Sequence, residues 1–147
     1  ERGVRGGTQN THGIAGTALA MDKAYKNIED MDRLRVLRDR IAQELKEVGA
    51  TIVTPLDNSV PNTVALFFDN TRGDVYINAL ADEGIYISTS AACSSKGVSG
   101  SRVLKSIGYS EKQAQGMLRI SLSHQNTADE IETFLNKFKK VLEFLKF

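Results

Sequence analysis

Between Thr17 and Val48 the apolar positions Met21, Tyr25, Ile28, Met31, Leu34, Leu37, Ile41, Leu45 and Val48 advance by three or four residues, the repeat of one helix face. The spacing predicts a single long helix. At 1.5 Å per residue it would reach roughly 45 Å, a length suited to bridging two lobes. Gly49 follows it, at the position where a left-handed residue closes a helix.

The pattern then changes to short β-branched runs. Thr51-Ile52-Val53-Thr54, ended by Pro55, and Thr63 to Phe68, entered through Pro61-Asn62, predict a hairpin-like pair turned around Asp57-Asn58. Asp74 to Ala81 reads as a short helix closed by Gly84, and Ile85-Tyr86-Ile87-Ser88 as a third strand. Two further short helices are expected at Ser101 to Ile107 and Ser110 to Gln115, the second with Ser110 and Gln113 in capping-box spacing.

Leu118 to Ser123 alternates, so Leu118, Ile120 and Leu122 share one face of a strand while Arg119, Ser121 and Ser123 share the other. Thr127 and Glu130 are spaced to cap a last helix with an apolar stripe of Ile131, Phe134, Leu135, Phe138, Val141, Leu142 and Leu145. The expected fold is α+β: a small, mostly antiparallel sheet with helices on one face, preceded by a long linking helix.

Composition narrows the function classes. A chain of 147 residues, 41% hydrophobic, is one domain or a piece of a larger one. Its 19 basic and 18 acidic residues nearly cancel, which gives no field for nucleic acid or an anionic membrane. One cysteine forms no intrachain disulfide, and with His12 and His124 it makes no metal-ligand spacing, so a reducing compartment and no metal are expected. No apolar run approaches the ~20 residues that span a bilayer, and the first residues lack the apolar core of a signal peptide. A cytoplasmic protein is expected. The chain opens on Glu1, already in a turn-rich motif, and reads as a segment of something longer.

Three places carry candidate chemistry. Cys93 lies in Ser88-Thr89-Ser90-Ala91-Ala92-Cys93-Ser94-Ser95-Lys96, almost without large apolar side chains. It is either a nucleophile, with Lys96 favouring its thiolate, or an inert exposed thiol. Arg119, in mid-strand, suits two-point contact with a carboxylate, with Ser121 as a second donor; the plainer reading is an edge arginine reaching water. Arg5-Gly6-Gly7-Thr8 puts a hydroxyl behind two glycines ahead of a helical region, which fits a phosphate or an ordinary turn. Both histidines read as structural.

Taken in order, Arg5-Gly6-Gly7-Thr8-Gln9-Asn10, Pro61-Asn62, Ile87 to Ser95, Ser101-Arg102-Val103-Leu104, Ile107-Gly108 and Leu118-Arg119-Ile120-Ser121-Leu122 resemble the C-terminal third of the cysteine desulfurases of NifS/IscS type, in the class V aminotransferase group. The resemblance implies residues 1–16 as the end of a cofactor-binding large domain, 17–48 as the linking helix and 49–147 as a small domain. It implies Cys93 as the persulfide-forming nucleophile, Arg119 as holder of the substrate carboxylate, and Thr8 on the phosphate of pyridoxal 5'-phosphate in the neighbouring subunit of a homodimer.

The implied function is removal of sulfur from L-cysteine, with release of alanine, for a sulfur acceptor or iron-sulfur scaffold protein. No lysine here lies in the family's cofactor-lysine motif, so the segment alone is expected to be inactive. Two alternatives stay open: a non-enzymatic sulfur-carrier or scaffold-binding domain, and a class V aminotransferase or selenocysteine lyase in which Cys93 is incidental.

Overall fold

The long apolar stripe does not make one helix. In the computed structural model, which describes residues 3, 6–69, 71–89 and 101–145, two helices take its place: α1 (Thr11–Lys26) and α2 (Met31–Glu47), separated by a 3-10 turn at Ile28–Asp30. Asn27 ends α1 with φ −93° and ψ 9°, and its N–H still reaches the Lys23 carbonyl at 3.2 Å. Asparagine favours such helix ends because its short amide competes with the backbone. The apolar period survives because a 3-10 turn also advances about three residues per turn. α1 also begins earlier than expected, where the Asn10 side chain accepts from the Gly13 N–H at 3.0 Å.

The two helices differ in what they bury. α1 buries none of its residues, leaving Met21 and Tyr25 exposed, whereas α2 buries Leu34, Leu37, Arg38, Ile41, Ala42 and Leu45. Gly49 then closes α2 with φ 106°, as expected.

The sheet has three antiparallel strands, β1 (Thr51–Ile52), β2 (Thr63–Phe67) and β3 (Leu118–Ser121), with β2 in the centre. Pairing aligns Val64 with Ile120 and Leu66 with Leu118, so these apolar side chains share one face. Against that face pack α2, α3 (Gly73–Asp82) and α6 (Ala128–Leu145). Phe68, Tyr76 and Phe138 stack with centroids 5.2 to 5.9 Å apart, joining the end of β2 to both later helices. The two short helices α4 (Arg102–Ser106) and α5 (Glu111–Gln115) cover one end of the opposite face, where Phe67 is buried with Leu104 and Ala114. The α+β class is as read from the sequence, and both capping boxes form, at Ser110 with Gln113 and at Thr127 with Glu130.

Arg38 interrupts the apolar face of α2 and is 0% exposed. All its donors are used: Nε and Nη2 donate to Asp39 Oδ1 at 2.8 and 2.7 Å, Nη1 to Ser59 Oγ and the Val60 carbonyl at 2.9 and 2.8 Å, and Nη2 to the Leu56 carbonyl at 2.7 Å. The guanidinium thereby ties α2 to the loop between β1 and β2. Asn62, at the end of that loop, accepts from Leu122 N–H at 2.7 Å and donates from Nδ2 to the Leu122 carbonyl at 3.2 Å. On the outside, Glu44 of α2 bridges Arg40 and Lys139 of α6, at 2.9 and 2.7 Å.

Two outcomes are expected. Arg38→Ala strands the Leu56 and Val60 carbonyls and should cost about 2–4 kcal/mol in urea unfolding, whereas Arg40→Ala, at the surface, should leave the midpoint nearly unchanged. The hydrogen bond from Lys139, helped by Arg40, holds the Glu44 carboxyl below its usual range against the opposing effect of partial burial. A lowered native pKa means that Glu44 contributes stability above the ordinary carboxylate range and loses it as pH falls toward its native pKa. Glu44→Gln should therefore flatten the acid limb of a stability-against-pH curve while leaving its shape near neutrality unchanged.

Candidate functional site

The same register that buries Leu118 and Ile120 turns Arg119 and Ser121 to the other face, beside Ala65 and Thr63 of β2. α4 and α5 cover the Phe67 end of this face, and Arg119 is exposed. Its cross-strand neighbour Ala65 is small, leaving room over the strand for a ligand. No carboxylate among the described residues pairs with the Arg119 guanidinium. With no such partner among the described residues, the guanidinium on this polar sheet face has forked donor pairs suited to an anion.

Ser88 is the residue that joins Arg119 to the rest of the site. The two backbones exchange hydrogen bonds, Ser88 N–H to the Arg119 carbonyl at 3.1 Å and Arg119 N–H to the Ser88 carbonyl at 2.6 Å. This bridge is all that remains of the strand expected over Ile85 to Ser88. Gly84, at φ 75°, and Ile85, whose N–H returns to the Leu80 carbonyl at 2.9 Å, aim the chain away from β3 as it leaves α3. It converges on β3 only at Ser88. Between the two runs lies an open groove of about 430 Å³ floored by Ile41, Ile120 and Phe134, with Tyr86 exposed at its edge.

Cys93 and Lys96 lie outside the described residues, as does Arg5. The described residues on either side of 90–100 are anchored. Before it, Ser88 is held by Arg119, and Thr89 lies against Gly73. After it, Ser101 is buried, its N–H donates to the Ala114 carbonyl at 3.0 Å, and its Oγ accepts from Leu104 N–H to cap α4. Cys93 follows the Arg119-bound Ser88 by five positions in the chain.

Thr8 stands elsewhere. It follows Gly7, whose φ of 89° is one that residues with a side chain rarely adopt, and it precedes the Asn10 cap of α1. The structure thus brings Ser88, which precedes the Cys93 segment, together with Arg119, and sets Thr8 on an exposed bend ahead of α1. His124 contributes its carbonyl, which accepts from Arg33 Nη2 at 2.8 Å. Sequence reasoning missed Ser88, Gly73 and Arg38. Only Arg38 left a signal, a charge among the apolar positions of an amphipathic stripe.

Among the described residues no helix is long and apolar enough to cross a membrane, and no three His, Cys, Asp or Glu side chains group as metal ligands. The family model described as aminotransferase class-V matches residues 1–134. The chain is 34% identical to a cysteine desulfurase IscS of Clostridium botulinum, over 97% of this chain and 37% of that protein. A cysteine desulfurase of Gluconacetobacter diazotrophicus is also 34% identical, over 99% of this chain and 37% of the relative. Among solved structures, a NifS-like protein superposes with a TM-score of 0.85 at 40% identity, covering 97% of this chain and 36% of that one. A NifS-like protein from Rickettsia africae gives 0.79 at 32%, covering 95% and 37%. The chain spans 37% of the length of these curated relatives.

Proposed function

Because the chain belongs to the class V aminotransferase family, we propose that it is the C-terminal part of a pyridoxal-phosphate-dependent cysteine desulfurase. In this reading the whole enzyme is a homodimer that takes sulfur from L-cysteine as a persulfide on Cys93, releases alanine, and passes the sulfur to an acceptor or iron-sulfur scaffold protein. The observation that carries it is the Ser88–Arg119 bridge, which ties the residue five positions before the only cysteine to an exposed arginine suited to a carboxylate.

The donor chemistry fits the anionic ends of a cofactor and its amino-acid substrate. Thr8 offers a hydroxyl behind a glycine turn for the phosphate of the cofactor bound to the neighbouring subunit, and Arg119 a fork for the substrate carboxylate. None of the chain's lysines lies in the family's cofactor-lysine motif, which supports assigning the cofactor's lysine to the large domain of the parent enzyme. When bound, pyridoxal phosphate supplies an electron sink that weakens the substrate's carbon–sulfur bond.

Each residue has a defined part. Arg119 fixes the carboxylate, so that the substrate's sulfur is presented in one direction. The Cys93 thiolate attacks that sulfur; a sulfur–sulfur bond forms as the carbon–sulfur bond breaks, and the carbon keeps the electron pair until protonation completes alanine. Lys96, three positions on, favours the thiolate.

In the full-length protein, Cys93→Ala should abolish persulfide detected by mass spectrometry and sulfide release from L-cysteine. Sulfide release at the wild-type rate would sink the nucleophile assignment, and a parent without a cofactor-binding lysine would favour a carrier domain. Arg119→Ala should raise KM for cysteine by about 10-fold or more, the loss of a charge-assisted two-point contact, with a smaller fall in kcat.

A further inference from the structure

We propose that Ala65 is a specificity-determining residue: small and uncharged beside Arg119, it keeps the guanidinium open to a carboxylate and decides the charge and bulk of the group that binds there. The proposal rests on the reading of Arg119 as holder of the substrate carboxylate, and extends it to a residue of β2 that has no reactive group of its own.

The register sets Ala65 directly opposite Arg119. In an antiparallel pair, opposite residues either exchange both backbone hydrogen bonds or make none, and those that make none stand closest, with Cα atoms about 4.5 Å apart. Ala65 and Arg119 are a pair of the second kind, because each spends its backbone groups on the chain beyond it. The Arg119 N–H and carbonyl bond to Ser88 at 2.6 and 3.1 Å. The Ala65 carbonyl accepts from the Val53 and Thr54 N–H groups at 2.8 and 3.3 Å, and its N–H donates to Thr54 Oγ1 at 2.7 Å. Two residues following β1 thus oppose one of β2, the pattern of a β-bulge, which fixes Ala65 from the side away from Arg119.

The side chain at 65 is therefore the nearest that β2 offers to Arg119. The other positions around Arg119 on this face are Thr63 and Phe67 diagonally across, Met117 and Ser121 along β3, and Ser88 on the far side. None carries a charge. Phe67 and Met117 pack with Leu104 and Ala114, which closes that end, whereas Ala65 and Thr63 are half-buried and Ser121 is exposed. Other arginines of the chain are taken up by an acid close in sequence: Arg38 by Asp39, Arg40 by Glu44 and Arg72 by Asp74. At Arg119 the cross-strand position is the one from which a neighbour's carboxylate would reach the guanidinium, and alanine supplies neither the charge nor the length. An acid at 65 would fill the fork from within the protein; a neutral side chain of the same length would only crowd it.

The test uses the cofactor-loaded full-length enzyme and compares Ala65→Gln with Ala65→Glu, which match in shape and differ in charge. Ala65→Gln should raise KM for L-cysteine by about threefold and Ala65→Glu by about thirtyfold, with kcat for both within about twofold of wild type. In an Arg119→Ala background the gap between the two should shrink from about tenfold to about threefold or less, because the new carboxylate then has no fork to occupy.

Equal KM values for the two variants refute the proposal, as does a gap of about tenfold that persists without Arg119 or a loss confined to kcat. Should the longer side chains prevent folding, Ala65→Asn and Ala65→Asp decide by the same comparison. A wild-type KM in Arg119→Ala by itself would instead overturn the carboxylate reading of Arg119.

Discussion

The pairing of β2 with β3 admits one register. Val64, Leu66, Leu118 and Ile120 must reach the same face, because that face lies against α2, α3 and α6. A slip of one residue would bury Arg119 and Ser121 and expose Leu118 and Ile120. The exclusion of apolar side chains from water therefore sets the direction of the arginine on which the proposed chemistry depends. Arg38 supports the same register from outside the sheet. By holding the carbonyls of Leu56 and Val60 it limits the loop that delivers Asn62 to Leu122, where β2 and β3 are tied at their open end.

Sheet, loop and thiol form a chain of dependence. The buried face of β3 orients Arg119, the backbone of Arg119 holds Ser88, and Ser88 stands at the start of the segment that carries Cys93. Ser101, buried and bonded to Ala114, holds the far end. The described residues before and after the segment that carries the only cysteine are thus fixed points. Packing on both faces of one small sheet provides them: the large core on one side, and the cluster of Phe67, Leu104 and Ala114 on the other.

Much of this was legible in order. The alternation from Leu118 onward identified both the buried face and Arg119's exposure, and the two capping boxes located their helices to within a residue. Periodicity misled where it was longest. The stripe from Met21 to Val48 is continuous in sequence, but Asn27 and the turn after it divide the helix, and the α1 part of the stripe is exposed in this chain. An apolar repeat reports that a face is sticky and not what it sticks to. The run from Ile85 to Ser88 misled for another reason: strand propensity is satisfied only where a partner lies alongside, and the turn at Gly84 keeps most of it away from β3.

By itself the sequence determined the α+β class, most of the element types, the two faces of β3 and the residues that are candidates to act, because these follow from local propensity and from side-chain periods of two and about three and a half. It also singled out Cys93, through the small polar residues around it. Only the tertiary structure decided that Ser88 meets Arg119, that Arg38 sits at the centre of five hydrogen bonds, and that Gly73 has no space for a methyl group. Each of these joins segments distant in the chain, and such contacts are created by the packing of the whole core, which no window of neighbouring residues contains.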